Sequence, residues 1–135
     1  MLDDRIKALS QYRIERSEAM LLSAKRDFND TDYSSANNRA YYCMFHAIRA
    51  VLALDNVDFK KHSAVITRFG QDYLKTDRIP RSFGILIATA SLIRNRSDYE
   101  DFYVCSIDDT KKLITGAEDF LRTIKVYLSD RTSTQ

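Results

Sequence analysis

A chain of 135 residues, 44% hydrophobic and 30% charged, is long enough to bury about two-thirds of its unfolded surface around one core and too apolar for intrinsic disorder. Its 3 Gly and 1 Pro are too few for the many turns of an all-β fold, so few, long elements are predicted in an all-α chain. The net charge of +2 does not by itself demand a nucleic-acid partner.

Met20, Leu21, Ala24 and Phe28 recur at one-face spacing and predict a first helix from about Leu2 or Asp3 to Phe28. Its outer side carries Arg5, Lys7, Glu15, Arg16, Glu18 and Lys25. The segment Asn29 to Asp32 reads as a turn, and Asp32 or a nearby Ser is placed to cap the next helix. That second helix, Tyr33 to Leu54, bears two apolar stripes, one from Ala36 through Cys43 and Ala47 to Leu54, the other from Tyr41 through Phe45 and Ile48 to Leu52. A helix apolar over so much of its circumference belongs at the centre of a bundle.

A third helix is predicted from His62 to Lys75, with Val65, Ile66, Phe69 and Tyr73 on one side and Gly70 weakening its regularity. Pro80 suits the opening turn of a fourth helix, where its missing N–H costs nothing. That helix presents Phe83, Leu86, Ile87, Ala90 and Ile93 before a polar cluster from Arg94 to Tyr99. The fifth starts near Ser106, where Ser106-Ile107-Asp108-Asp109 resembles a capping box, and buries Leu113, Ala117, Phe120, Leu121, Ile124 and Leu128. The result is an up-and-down helical bundle of about five helices, one domain over residues 1–130, with residues 131–135 expected to fray.

Cys43 and Cys105 lack the spacing of a zinc site or redox pair and read as free thiols in a reducing compartment. The N-terminus has no basic leader ahead of an apolar run, and the longest apolar stretch, Phe83 to Ile93, is too short to span a bilayer, so a cytoplasmic protein without a membrane segment is expected.

The charges are unevenly distributed. Between Lys60 and Arg96 eight basic residues face two acidic ones, Asp72 and Asp77, whereas Asp98, Glu100, Asp101, Asp108 and Asp109 follow with no basic residue among them. Such polarity makes either a positive groove with an acidic rim, a contact between subunits, or simply solvated helix surfaces.

No Gly-rich phosphate loop, metal-ligand spacing or nucleophile elbow is present, and neither cofactor nor metal is implied. His46 lies among aromatic neighbours and reads as a partly buried ring bonded to a carbonyl or carboxylate, and His62, after two lysines, as a helix cap or a phosphate contact. The cluster from Arg94 to Asp101 ends an apolar helix with two arginines, an amide, three carboxylates and a tyrosine, which need partners to be stable there. Arg94 and Asn95 can hold a phosphate as guanidinium and amide donors, or Arg94 can pair with Asp98 four residues on. Asp98, Glu100 and Asp101 read as a solvated rim in preference to a magnesium site.

Three motifs in order, Asn38-Arg39-Ala40-Tyr41-Tyr42-Cys43-Met44-Phe45-His46-Ala47-Ile48-Arg49-Ala50-Val51-Leu52, then His62-Ser63-Ala64-Val65-Ile66, then Arg94-Asn95-Arg96-Ser97-Asp98-Tyr99, resemble the HEPN domain over about Tyr12 to Leu128. More specifically, the chain resembles the family's stand-alone branch of small bacterial and archaeal proteins. The resemblance implies a helical bundle that dimerises, and an RNA- or nucleotide-binding role with metal-independent endoribonuclease activity as a toxin component. It also implies pairing with a minimal nucleotidyltransferase.

In the family's ribonucleases an arginine and a histidine four to six residues later act at the dimer cleft. Here Arg94 matches the arginine and Asn95 its polar neighbour, while Asp98 and Tyr99 stand where the histidine is expected. A phenol (pKa about 10) or carboxyl (about 3.9) is poorly matched to proton transfer near pH 7 unless shifted. The resemblance thus marks Arg94, Asn95, Asp98 and Tyr99 as candidate catalytic residues, and Arg94, Asn95, Arg96, Lys61 and His62 as candidate RNA or nucleotide contacts. The alternative is a non-catalytic interaction module that dimerises and docks the nucleotidyltransferase.

Overall fold

The computed structural model describes residues 2–133. Among these described residues five α-helices form an all-α bundle: α1 (Asp4–Asn29), α2 (Tyr33–Leu54), α3 (His62–Phe69), α4 (Phe83–Tyr99) and α5 (Ile107–Ser133). Asp3 starts α1 by accepting the Arg5 N–H at 2.7 Å, and Asp32 starts α2 by accepting that of Ser35 at 3.2 Å. The three residues between them return the chain so tightly that α1 and α2 share the largest interface in the molecule. With so few glycines, Thr31, Asn56 and Asp77 take the left-handed backbone after three of the helical segments, at φ of 62°, 57° and 58°.

The centre of the bundle is α2, which touches every other helix. Both of its predicted stripes are buried, and Ala36, Ala40, Cys43, Ala47 and Ala50 are fully covered. These small side chains let α1 come close enough for its serines to reach α2's backbone. Ser10 Oγ donates to the Ala50 carbonyl at 2.8 Å and Ser17 Oγ to that of Cys43 at 2.6 Å. The deepest stripe of α1 is therefore Ser10, Arg13, Ile14, Ser17 and Ala24, while the predicted Met20, Leu21 and Phe28 are only partly buried at its margins.

Three sequence expectations need correction. The third helix does not run regularly to Lys75: α3 stops at Phe69, and residues Gly70–Leu74 form a π-helical turn closed by Lys75 N–H to Gly70 C=O at 2.9 Å. The wider turn sets Tyr73 fully buried beside Phe69, ring centroids 5.5 Å apart. Pro80 lies ahead of α4, not inside it, and its carbonyl accepts the Phe83 N–H at 3.2 Å. Finally, α5 opens as expected, with Asp109 N–H donating to Ser106 Oγ at 3.0 Å, but stays helical through Ser133. Arg131 there bonds the Asp55 carboxylate and Thr132 the Leu128 carbonyl, which hold residues 131–133 in place; Thr134 and Gln135 lie outside the described residues. Both cysteines are free, and burial pushes the Cys43 thiol up to about 11. Among the described residues no helix is long and apolar enough to cross a membrane.

Candidate nucleic-acid interface

The C-terminal half of α4 is fastened to the N-terminal half of α2 by polar contacts. Ser34 Oγ donates to the Ser97 carbonyl at 3.0 Å, Asn37 Nδ2 to Ser97 Oγ at 3.2 Å, and Asn38 Nδ2 to Asp98 Oδ2 at 3.0 Å. Arg39 Nη1 in turn donates to Asn38 Oδ1 at 2.6 Å. Helical periodicity puts Arg94 and Asp98 on the same inward face, and they form an ion pair at 3.8 Å.

Arg94 is mostly enclosed, with 12% of its side chain exposed. Its guanidinium carbon lies 4.6 Å from the Tyr41 ring centroid and 5.9 Å from that of Tyr42, within range of cation–π attraction. Beyond Tyr41 stands His62: the phenol oxygen and His62 Nδ1 are 3.0 Å apart, and the imidazole stacks on Phe45 at 4.1 Å. Burial, then the charges of Arg94 and Arg49, lower the His62 pKa and keep the ring neutral near pH 7. Burial raises the Tyr41 phenol against the opposing pull of Arg94. Arg94, Tyr41 and His62, from three separate helices, thus form one connected group.

The remaining predicted residues point elsewhere. Asn95 is exposed, and Tyr99, 76% exposed, meets no partner among the described residues. Arg96 bonds Glu100 at 2.7 Å and lies 4.5 Å over the Tyr103 ring, on a third face of the same helix end. Lys61 is exposed and its side chain makes no cap bond, and His62, first residue of α3, caps nothing either because its ring turns back onto Phe45 and Tyr41. His46 makes ring contacts with Tyr42 and Phe45 in place of the expected carbonyl or carboxylate bond. Burial, then the charges of Arg16, Arg49, Arg13 and His62, lower its pKa to about 4.

Residues that sequence reasoning passed over complete the picture. Asn38, Arg39 and Tyr41 lie within the first motif but were read there as part of an apolar helix. Arg13 and Arg49 converge on Asp58, both at 3.0 Å, a pairing visible only once α1, α2 and the loop after α2 are folded together.

The HEPN domain family model matches residues 10–127. Two Methanocaldococcus jannaschii proteins, each named "Putative toxin", are 32% identical over 130 residues (96% of both chains) and 27% identical over 128 residues (95% of this chain, 87% of the other). A Thermotoga maritima protein named "UPF0332 protein" is 27% identical over 129 residues, covering 96% of this chain and 97% of its own. A five-helix bundle with α2 at its centre, matched by the family from α1 to the last turns of α5, is a member of the HEPN domain family.

Proposed function

We propose that the chain is a homodimeric HEPN-type protein that binds RNA or nucleotides as the toxin-like member of a toxin–antitoxin pair. The observation that carries this is the Arg94–Tyr41–His62 group, in which a guanidinium and a neutral imidazole are both held against one tyrosine. A guanidinium held on an aromatic ring is pre-oriented for phosphate, and Lys61, the residue before His62, adds exposed charge. The word toxin in the names of two relatives supports the same role.

Binding is better supported than cleavage by the expected residues. The Asp98 carboxylate is occupied by Arg94 and Asn38, and Tyr99 points to solvent, so neither is set up as a proton carrier. The group best suited to that task is His62, which comes from another helix.

The dimer in this reading uses the outer face of α4. Ile85, Leu92 and Tyr99, seven residues apart, are 78%, 58% and 76% exposed, and Phe102 and Val104 continue the apolar surface. A second copy on this face would place the two Arg94 helix ends near one another.

The alternative reading, a module that docks a nucleotidyltransferase, draws on the Arg39–Asn38–Asp98–Arg94 chain, since a network formed within one subunit also serves as a structural lock. The test is gel shift and cleavage of a mixed, end-labelled RNA pool with EDTA present, using wild type, Arg94→Ala and His62→Ala. Binding lost in Arg94→Ala, with the dimer intact, is the expected result. Cleavage abolished in both variants would add ribonuclease activity with His62 in the missing histidine's place. Wild-type protein that neither shifts nor cuts RNA would refute the proposal in favour of the docking module.

A further inference from the structure

A cleft of about 390 Å³ opens between α2 and the segment leading into α3, lined by Phe45, Arg49, Asp58, Phe59, Lys60 and His62. Its volume falls within the range of about 300–1,000 Å³ typical of small-ligand sites. We propose that this cleft is a subsite for a nucleoside monophosphate unit, with Lys60 and Arg49 on its phosphate and Phe59 beneath its base. The proposal deepens the nucleic-acid reading above and rests on it.

Charge bookkeeping in the cleft favours an anion. Its one carboxylate, Asp58, is fully engaged: Arg49 Nη2 donates to its two oxygens at 3.2 and 3.0 Å, Arg13 Nη2 to Oδ2 at 3.0 Å, and the Phe59 N–H to Oδ1 at 2.9 Å. Two guanidiniums share that single charge, and Lys60, exposed at the rim, pairs with no carboxylate among the described residues. The excess is felt nearby, since the charge of Arg49 contributes to the lowered pKa of both His46 and His62. An unpaired ammonium beside a partly satisfied guanidinium is a phosphate-binding arrangement.

The walls favour a base over a simple anion or an acidic peptide. Phe59 exposes 39% of its surface, and the stacked Phe45–His62 pair supplies a second aromatic wall. His62 also joins the cleft to the Arg94 group through Tyr41, so a strand with one nucleotide here would lead toward Arg94. The same chemistry fits a free nucleotide or one residue of single-stranded RNA.

The experiment titrates the full chain with adenosine 5′-monophosphate, with a single-stranded RNA of about ten nucleotides, and with a poly-glutamate peptide, comparing wild type, Lys60→Ala, Phe59→Ala and Arg94→Ala. Lys60 and Phe59 are exposed enough for their variants to fold, which far-UV circular dichroism checks. Both cleft variants are expected to lose about tenfold in nucleotide affinity, and Lys60→Ala to lower the salt dependence by about one phosphate contact. Weakening of both probes identifies an RNA subsite, and weakening of the monophosphate alone a free-nucleotide site. RNA binding lost in Arg94→Ala but unchanged in both cleft variants would overturn the subsite and leave the broader reading standing. Binding lost in the cleft variants and kept in Arg94→Ala would do the reverse. Capture of the peptide alone would overturn the nucleotide assignment.

Discussion

Replacing Asp58 by Asn should lower stability and raise nucleotide affinity together, and this opposition follows from the contacts of that one carboxylate. Arg13 is the buried partner, with 9% of its side chain exposed, whereas Asp58 is half exposed at 51%. Removing one partner of a fully buried pair costs about 3–5 kcal/mol. Here solvent reaches Asp58 and Arg13 keeps its 3.0 Å bond to the Arg49 carbonyl, so the cost should fall to about 1–2 kcal/mol. Asn keeps an oxygen to accept the Phe59 N–H but no longer neutralises Arg49, so the cleft gains a full positive charge. Urea unfolding should show the lower midpoint, and calorimetry with adenosine 5′-monophosphate the tighter binding and a steeper dependence on salt. The pH limb tests the same group. Burial alone pushes the Asp58 carboxyl up, but the Arg49 hydrogen bond and the Arg49 and Arg13 charges outweigh it and hold it below 3.8. Its contribution is then present above the unfolded value and lost as pH falls through the folded one, a loss Asp58→Asn should not show. A variant of unchanged stability, or one that binds nucleotide more weakly, would refute this reasoning.

His46, lowered to about 4 from 6.5, is neutral in the folded chain and charges on unfolding, so protons favour the unfolded state between those values. Stability should therefore fall as pH drops from 6.5 toward 4, and His46→Leu should flatten that part of a denaturation series. Gly70→Ala should raise stability by about 0.5–1 kcal/mol, since Gly70 has helical dihedrals of −59° and −44° and an added Cβ meets nothing within 4 Å; a thermal melt checks it. Leu92→Glu should convert a dimer to monomer in sedimentation equilibrium with its helical spectrum unchanged, because Leu92 is 58% exposed on the outer face of α4.

How much of this was readable in advance depended on whether a residue's partner lay on its own helix. The approximate span of α2 was legible, since its apolar stripes and the Asp32 cap are local signals. The π turn was announced by Gly70 only as a weakness, because its form depends on seating Tyr73 against Phe69 and the rest of the core. Ser10 and Ser17 carry no local signal of burial; what buries them is the row of alanines across from them on α2, a property of the pair of helices. The same holds at the site. Arg94 with Asp98 was legible as an i, i+4 pair, whereas its seat on Tyr41 and the link to His62 join positions far apart in sequence.

The end of α4 sends successive residues to different neighbours, and this decides what each can do. Arg94 and Asp98 turn inward to α2, where a guanidinium in the lee of two tyrosines keeps a fixed orientation. Arg96 and Glu100 pair with each other beside Tyr103, which occupies their charges locally. Tyr99 faces out with the apolar residues Ile85 and Leu92, on the surface available to a second chain. A motif that reads as one string is thus divided by helical geometry into an edge packed on α2, with Arg94 and Asp98, and an exposed edge, with Asn95 and Tyr99. The imidazole that the string lacks is supplied by His62 of α3, which also contacts Tyr41. A test of chemistry at this group therefore has to include Tyr41 on α2 and His62 on α3 together with Arg94 on α4, because the three are in contact only after those helices pack.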